Sequence, residues 1–281
     1  MKTNLIALLK LADLEIRRFR GILLGLMALV ALIQLGGLSM VTRTRLSQIE
    51  SQIERSGMTL AEFKLQNSGL SLLELLGELD GVTGVAIACC IVVVAAYTLI
   101  IWYRDWFGRA SFAYRLLMLP HPRFLLYLSK LAAILTFVFS LFAWQIVIVA
   151  GQMLLYHVQI PHQLRIERTF IDTIRSTDLV IFIPVRLTEF LLVYGLGLVI
   201  VLLLFTTALL ERSYRLKGLL GGLALSAAAF VLLVWLWAGA EDRGSFLYPT
   251  ELLALFIGVL LVSAAAALWL GWRLLRGKVS V

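Results

Sequence analysis

Six long windows without a charged residue constrain the fold of this chain more than any other feature. They cover residues 21–42, 81–103, 131–164, 190–210, 218–240 and 252–272. About 20 apolar residues in a helix are needed to cross the hydrocarbon core of a bilayer. Backbone groups in hydrocarbon need internal hydrogen-bond partners, which favours α-helices. We therefore predict an all-α polytopic membrane protein with six transmembrane helices, the third of which covers about 131–156.

The distribution of basic residues predicts the orientation. Of the 25 Lys and Arg residues, 16 lie in the segments 1–20, 104–130, 211–217 and 273–281, which six spans place on one side. Loops rich in Lys and Arg stay in the cytoplasm, so we expect both termini there. Arg43 and Arg45 are exceptions to this rule. Because the net charge of +8 flanks apolar spans, we expect no nucleic-acid partner and attribute the charge to contact with membrane lipids.

The N-terminal segment 1–20 is amphipathic. Its apolar residues recur at helical spacing, at Leu5, Leu8, Leu9, Ala12 and Ile16. Asp13 and Arg17 are placed to form an i,i+4 ion pair. This pattern favours an interfacial helix on the cytoplasmic leaflet. The alternative is that this segment simply extends the first span. The apolar window of that span is longer than the apolar part of a cleavable signal peptide, so we expect it to be retained.

The first outer segment, 43–80, carries helix signals. Leu46, Ile49 and Ile53 form an apolar stripe that ends at Gly57. The stretches 59–62 and 71–74 match the capping-box pattern at helix starts. We predict two or three short helices packed over the outer face, and we leave open whether this extracytoplasmic helical loop has a function.

The second outer segment, 158–189, has apolar residues at Ile166, Phe170 and Ile174, spaced as on one helix face. A further apolar run, 179–183, stops at Pro184. The run is too short to span a bilayer. We interpret it as a re-entrant or interfacial piece.

Sequence motifs for catalysis are absent. The chain has no phosphate-binding G-x-x-x-x-G-K-[ST] loop, no H-E-x-x-H zinc motif and no G-x-S-x-G nucleophile elbow. Ion-coupled carriers usually place Asp, Glu or His near mid-bilayer, whereas the middles of these spans are uncharged. Their polar residues are Gln34, Thr83, Thr98, Ser140, Gln145, Gln152, Thr206, Thr207 and Ser226. We predict a protein that is not an enzyme, binds no cofactor or metal, and receives energy from outside the chain.

The most distinctive stretch is the connector after the second span, YRDWFGRASFAYRLLMLPHPRFLLYLSK, residues 103–130. Its composition predicts a short amphipathic helix broken at Pro120. The run Leu119-Pro120-His121-Pro122-Arg123, followed by Ser129-Lys130, resembles the first cytoplasmic connector of type-2 ABC exporter permeases (the ABC-2 family). Two features depart from that family: Ser111-Phe112 replaces its common Gly-Thr, and the 241–250 connection is short.

The resemblance implies a mechanism and its partners. Two permease chains, identical or related, would form the pathway, and separate ATPase subunits would bind ATP and Mg. The connector would dock on the ATPase as a coupling helix. The residues this assigns to the interface are Arg104, Asp105, Phe107, Arg109, Tyr114, Arg115, Pro120 and Arg123. For each residue alone, the alternative is a lipid-facing basic anchor or an interfacial aromatic residue.

The expected function is therefore that of an exporter permease in a bacterial cytoplasmic membrane. Its uncharged spans favour a hydrophobic or amphipathic cargo, such as a peptide antibiotic or a lipid-like molecule. A membrane sensor or scaffold that binds a ligand through its outer loop is the main alternative. A polytopic membrane enzyme is a further one, but it would need convergent polar groups that this sequence lacks.

Overall fold

The computed structural model describes residues 2–57, 69–107, 124–166, 168–175, 184, 186–241 and 248–277. Its long helices are α1 (Lys2–Ser56), α3 (Asp80–Phe107), α4 (Phe124–Gln159), α6 (Leu187–Tyr214), α7 (Leu216–Glu241) and α8 (Pro249–Gly277). Two shorter helices are α2 (Leu72–Gly77) and α5 (Phe170–Arg175). Strands β1 (Leu70–Ser71) and β2 (Arg165–Ile166) form a two-residue parallel bridge.

The six long helices account for all six predicted spans. Each one contains a single predicted span and is long and apolar enough to cross a membrane. Their surfaces carry large apolar side chains, such as Leu32, Met40 and Val158, which are about three-quarters exposed. Such surfaces are stable in hydrocarbon and costly in water. The chain is an all-α polytopic membrane protein, as predicted.

Helix α1 corrects the prediction of a separate interfacial helix. The segment 2–20 is helical, but it continues without a break into the first span and on to Ser56. Residues 2–56 contain no Pro, which would break the hydrogen-bond ladder of a helix, and residues 2–20 contain no Gly. At a rise of 1.5 Å per residue, the 55 residues of α1 cover about 80 Å, well beyond the ~30 Å hydrocarbon core.

The apolar stripe predicted in the N-terminal segment is not the buried face of α1. Leu5 and Leu9 are exposed, whereas Ala12, Glu15 and Phe19 are buried. The predicted ion pair is confirmed, because Arg17 Nε donates to Asp13 Oδ2 at 2.9 Å. The buried face thus includes a carboxylate, and this position is central to the site described below.

The described part of the chain divides into two compact units. The first combines residues 1–18, 94–136 and 188–281. Within it, α6 and α7 are joined through the single residue Arg215, whose φ of 54° lies in the left-handed region. The two helices approach closely, since a Cβ on Gly222 would lie 2.8 Å from the Thr207 Cα. This unit holds the candidate functional site.

The second unit combines residues 19–93 and 137–187. It has a hydrophobic core formed by Leu38, Leu72, Leu75, Leu76, Leu79, Tyr156, Ile160 and Leu164. The Tyr156 hydroxyl joins the two strands, because it lies 2.7 Å from the Leu70 carbonyl oxygen and accepts a hydrogen bond from the Ile166 N–H at 3.0 Å. The outer segments therefore pack as a folded layer.

The outer helices agree with the prediction in part. Ser71 caps α2 by accepting a hydrogen bond from the Leu73 N–H, which confirms a helix start at the second capping-box sequence. The stripe at Leu46, Ile49 and Ile53 packs on the core but belongs to the end of α1, not to a separate helix. Gly57, with φ of 67°, ends α1 in the left-handed conformation typical of a helix C-terminus. The first capping box, 59–62, lies outside the described residues.

The second outer segment differs from the predicted helical pattern. Ile174 on α5 is buried against Val149, and Phe170 packs beside them. Ile166 does not continue that helix, because its backbone pairs with Ser71 in the strand bridge. The predicted re-entrant run 179–183 lies outside the described residues. Arg45, one of the exceptions to the charge rule, pairs with Glu78 of the same unit.

Candidate coupling site

The candidate site is built around the carboxylate of Glu15 on α1. Glu15 is 2% exposed and accepts hydrogen bonds from three cations. Arg104 Nη2 lies 2.5 Å from its Oε2, while Lys130 Nζ and Arg18 Nη1 lie 3.2 and 3.4 Å from its Oε1. A buried carboxylate is stable only when such partners offset the loss of hydration.

Lys130 on α4 is the most deeply buried cation of the site, with no exposed surface. Its ammonium group also donates to the Ile101 carbonyl oxygen of α3 at 2.8 Å. It lies 5.3 Å from the ring centroid of Trp102, within the range of a cation–π interaction. Lysine is almost never fully buried unless it is paired. Glu15, the Ile101 carbonyl and the indole together explain its position.

Arg104 occupies the last turn of α3, and a third of its side chain is exposed. Besides Glu15, it contacts Tyr97 one turn earlier, with Nη1 3.4 Å from the phenol oxygen and the guanidinium 5.9 Å from the ring centroid. This residue thus joins the end of α3 to α1. Arg104 is also the first of the residues that the resemblance assigns to the ATPase interface.

A buried aromatic cluster lies beside the charges. Trp102, Tyr127 and Phe205, from α3, α4 and α6, pack in tilted or edge-to-face pairs with centroids 5.3 to 6.1 Å apart. All three are at most 2% exposed. Gly271 of α8 lets that helix approach Tyr127, since a Cβ there would lie 3.0 Å from the ring. The cluster keeps water away from Lys130 and strengthens its electrostatic contacts.

One further polar contact connects α3 with α6. The Tyr103 hydroxyl donates to the carboxylate of Glu211 in the last turns of α6. Together with the aromatic cluster, it makes the end of α3 a junction of α1, α4 and α6. Glu15 thus binds Arg104 at the end of α3 and Lys130 near the start of α4, and these two helix ends border residues 108–123 of the connector.

The predicted docking residues are placed only in part. Arg104 lies in the Glu15 cluster described above. Asp105 and Phe107 belong to the last turn of α3, but their side chains lie outside what the structure describes. The remaining predicted residues, Arg109, Tyr114, Arg115, Pro120 and Arg123, lie outside the described residues, as does the predicted helix break at Pro120.

Sequence reasoning missed Glu15 and the role of Lys130. A usable signal was present, because Ala12, Glu15 and Phe19 share one helix face, and an acid between apolar residues on a packed face needs a cation. The identity of that cation could not be derived from spacing along the chain.

The described residues contain no group of three or more His, Cys, Asp or Glu side chains that could hold a metal ion. Comparison of the chain with protein-family models, with curated proteins and with solved structures gives no match.

Proposed function

We propose that this chain is the permease subunit of an ATP-binding-cassette exporter and is driven by separate ATPase subunits. The observation that carries the proposal is the Glu15 cluster: one buried carboxylate binds Arg104 at the end of α3 and Lys130 near the start of α4. These two residues border the segment that resembles a coupling helix. A force on that segment would therefore reach α1, α4 and α6 together.

In this proposal the connector docks on an ATPase that binds ATP and Mg. Closure of the ATPase pair on ATP would displace the connector and select a second arrangement of the spans. Such coupling requires that the ATPase bind the two arrangements with different affinity. A cluster of buried charges and close-packed aromatic rings suits this role, because packed cores switch between discrete arrangements and do not deform gradually.

The location and cargo follow from the same proposal. The basic segments and both termini face the cytoplasm, and the membrane is a bacterial cytoplasmic membrane. A second permease chain, the same or related, completes the pathway. The cargo is hydrophobic or amphipathic, such as a peptide antibiotic or a lipid-like molecule, since the middles of the spans carry no charge.

The first test is co-purification from the native membrane, followed by ATPase measurement in lipid vesicles. We expect an ATPase chain to co-purify and its turnover to depend on this permease. The double charge reversal Asp105→Arg with Arg109→Asp should weaken the association and lower the permease-dependent ATPase rate. A matched control is Asp13→Arg with Arg17→Asp, which reverses an exposed pair in another of the basic segments predicted to face the cytoplasm.

Retention of the ATPase and of its rate in the Asp105/Arg109 variant would remove the docking assignment. A preparation in which the chain is active without any nucleotide hydrolase would remove the permease proposal itself. The control variant separates a specific interface from a general effect of charge.

A second candidate function is a sensor or scaffold that binds a ligand through the outer layer. The observation in its favour is the folded outer part of the second unit, where α2 and the strand bridge lie over a hydrophobic core. Purification of the chain without an ATPase, together with a ligand-dependent gain in thermal stability that is lost when α2 is disrupted, would favour this function.

A further inference from the structure

Three glutamines follow a heptad spacing on α4, at Gln145, Gln152 and Gln159. Residues seven apart lie nearly on the same helix face, so the three side chains share one face of α4. Their positions cover about 21 Å of helix, roughly two-thirds of the hydrocarbon thickness. Polar side chains at this depth face protein or water and not lipid.

Two of these glutamines contact α1 in the same unit. Gln145 and Gln34 exchange two amide hydrogen bonds, with N···O distances of 3.0 and 3.3 Å. Gln159 Nε2 donates to Ser39 Oγ at 2.9 Å. The helices also approach at Gly151, where a Cβ would lie 3.4 Å from Leu35. The face with the glutamines is thus the α1–α4 contact, and we call this contact the polar seam.

The polar seam contains more acceptors than the protein satisfies. Thr42 lies seven residues after Leu35, which contacts Gly151, and so lies on the same face of α1. Gln152 and Thr42 are each 1% exposed, and Gln152 Oε1 and Thr42 Oγ1 find no hydrogen-bond partner among the described residues. Gln159 Oε1 is also buried and has no hydrogen-bond partner among the described residues. Other threonines in the spans, such as Thr98, donate to a carbonyl one turn back in their own helix. Buried polar atoms without partners are rare in folded proteins, so each of these atoms needs an explanation.

The chemistry of the unpartnered atoms defines the ligand. The acceptors are uncharged amide and hydroxyl oxygens, and the polar seam has no described carboxylate that would favour a cation. A small neutral molecule that donates hydrogen bonds, and also accepts one from a hydroxyl, fits them best. Water has these properties and commonly satisfies buried polar groups.

We propose that the polar seam binds a line of water molecules from Gln152 to Thr42 and Gln159, and that the Gln34–Gln145 bond closes it at its other end. The proposal does not depend on the chain being an exporter.

The test is radiolytic hydroxyl-radical labelling of the full chain in lipid vesicles, in which bound water generates radicals that oxidise neighbouring side chains. Met153 follows Gln152 and packs in the core beside α1, whereas Met40 of the predicted first span is mostly exposed. The two methionines have the same intrinsic reactivity. We expect Met153 to oxidise severalfold faster than Met40, although Met153 is the more buried of the two.

Variants of the polar seam decide the origin of that labelling. Thr42→Val keeps the shape and removes only the hydroxyl, and Gln152→Leu removes the amide, so each should slow Met153 oxidation and leave the Met40 rate unchanged. Thr98→Val, which removes a hydroxyl that is satisfied within its own helix, should change neither rate. Met153 oxidation no faster than that of Met40, or a Met153 rate that is the same in the Thr42→Val protein, would overturn the proposal. If Gln152→Leu does not fold, the isosteric Thr42→Val protein alone gives the decision.

Discussion

The ammonium group of Lys130 lies 3.2 Å from the carboxylate of Glu15, although 115 residues separate them along the chain. Both side chains are almost fully buried, and Arg104 reaches the same carboxylate from the end of α3. The arrangement replaces the hydration of two opposite charges with contacts inside the protein. Its stability therefore depends on every charged member being present.

Replacement of Glu15 tests this dependence. Glu15→Gln leaves the buried ammonium of Lys130 without a counter-charge, so we expect a loss of about 3–5 kcal/mol in the free energy of unfolding. Asp13→Asn removes an exposed carboxylate two residues away and should cost at most about 1 kcal/mol. Thermal and denaturant unfolding in detergent measures both variants. Equal losses for the two would show that Glu15 has no special electrostatic role.

The Gln34–Gln145 bond predicts an energetic coupling between α1 and α4. In a double-mutant cycle with Gln34→Leu and Gln145→Leu, we expect a coupling of about 0.6–2 kcal/mol, the range for hydrogen bonds between membrane helices. Thr136→Val serves as the control partner, because the Thr136 hydroxyl donates to Ala132 in its own helix. A coupling of zero for the glutamine pair in lipid would contradict the contact.

Adjacent glycines on α7 give a sharp packing test. A Cβ on Gly222 would lie 2.8 Å from Thr207 Cα. Because this is a backbone atom, it cannot move aside as the end of a side chain could. Gly222→Ala should therefore lower the free energy of unfolding by about 1–3 kcal/mol. Gly221 has no such atom within 4 Å, and Gly221→Ala should be neutral or stabilising by up to about 1 kcal/mol, since alanine favours helix. Unfolding measurements on both variants decide. The reverse order would mean that α6 and α7 do not pack at Gly222.

The cap of α2 predicts a local effect in the outer layer. Ser71→Ala removes the oxygen that accepts from the Leu73 N–H, and we expect a cost of about 1 kcal/mol. Hydrogen exchange followed by mass spectrometry should show faster exchange in the peptide covering 72–77. Ser51→Ala is the control, because that hydroxyl donates to the Gln48 carbonyl within α1. Unchanged exchange in 72–77 would contradict the capping role.

Most of the membrane architecture could be predicted from the sequence, because windows without charge tolerate few other environments. The six spans required no knowledge of tertiary contacts. Prediction of the helix ends would have required knowledge of those contacts. Helix α1 continues to Ser56 since nothing in residues 43–56 breaks it, and the polar sequence there, which suggested a loop, is also compatible with helix. The apolar stripe with Leu46 and Ile53 does pack on a hydrophobic core, but it belongs to α1 and not to the separate short helix that was predicted.

The candidate site was much less predictable. Arg104 was identified through the resemblance of the connector, and its contact with Glu15 is a new observation. Glu15 lies between basic residues near a span, where an acid is usually solvated, so its burial follows only from the packing of α1 against α3 and α4. Lys130, the last residue of the predicted connector, lies inside α4, which already begins at Phe124.

The separation of Glu15 from Lys130 also has a consequence for biosynthesis. A ribosome adds about 5–20 residues per second, so Glu15 leaves it on the order of ten seconds before the lysine that neutralises it. During this interval Glu15 can pair with Arg18 of its own helix but not with Lys130. The complete site therefore forms only once α4 has been synthesised, long after α1 has left the ribosome.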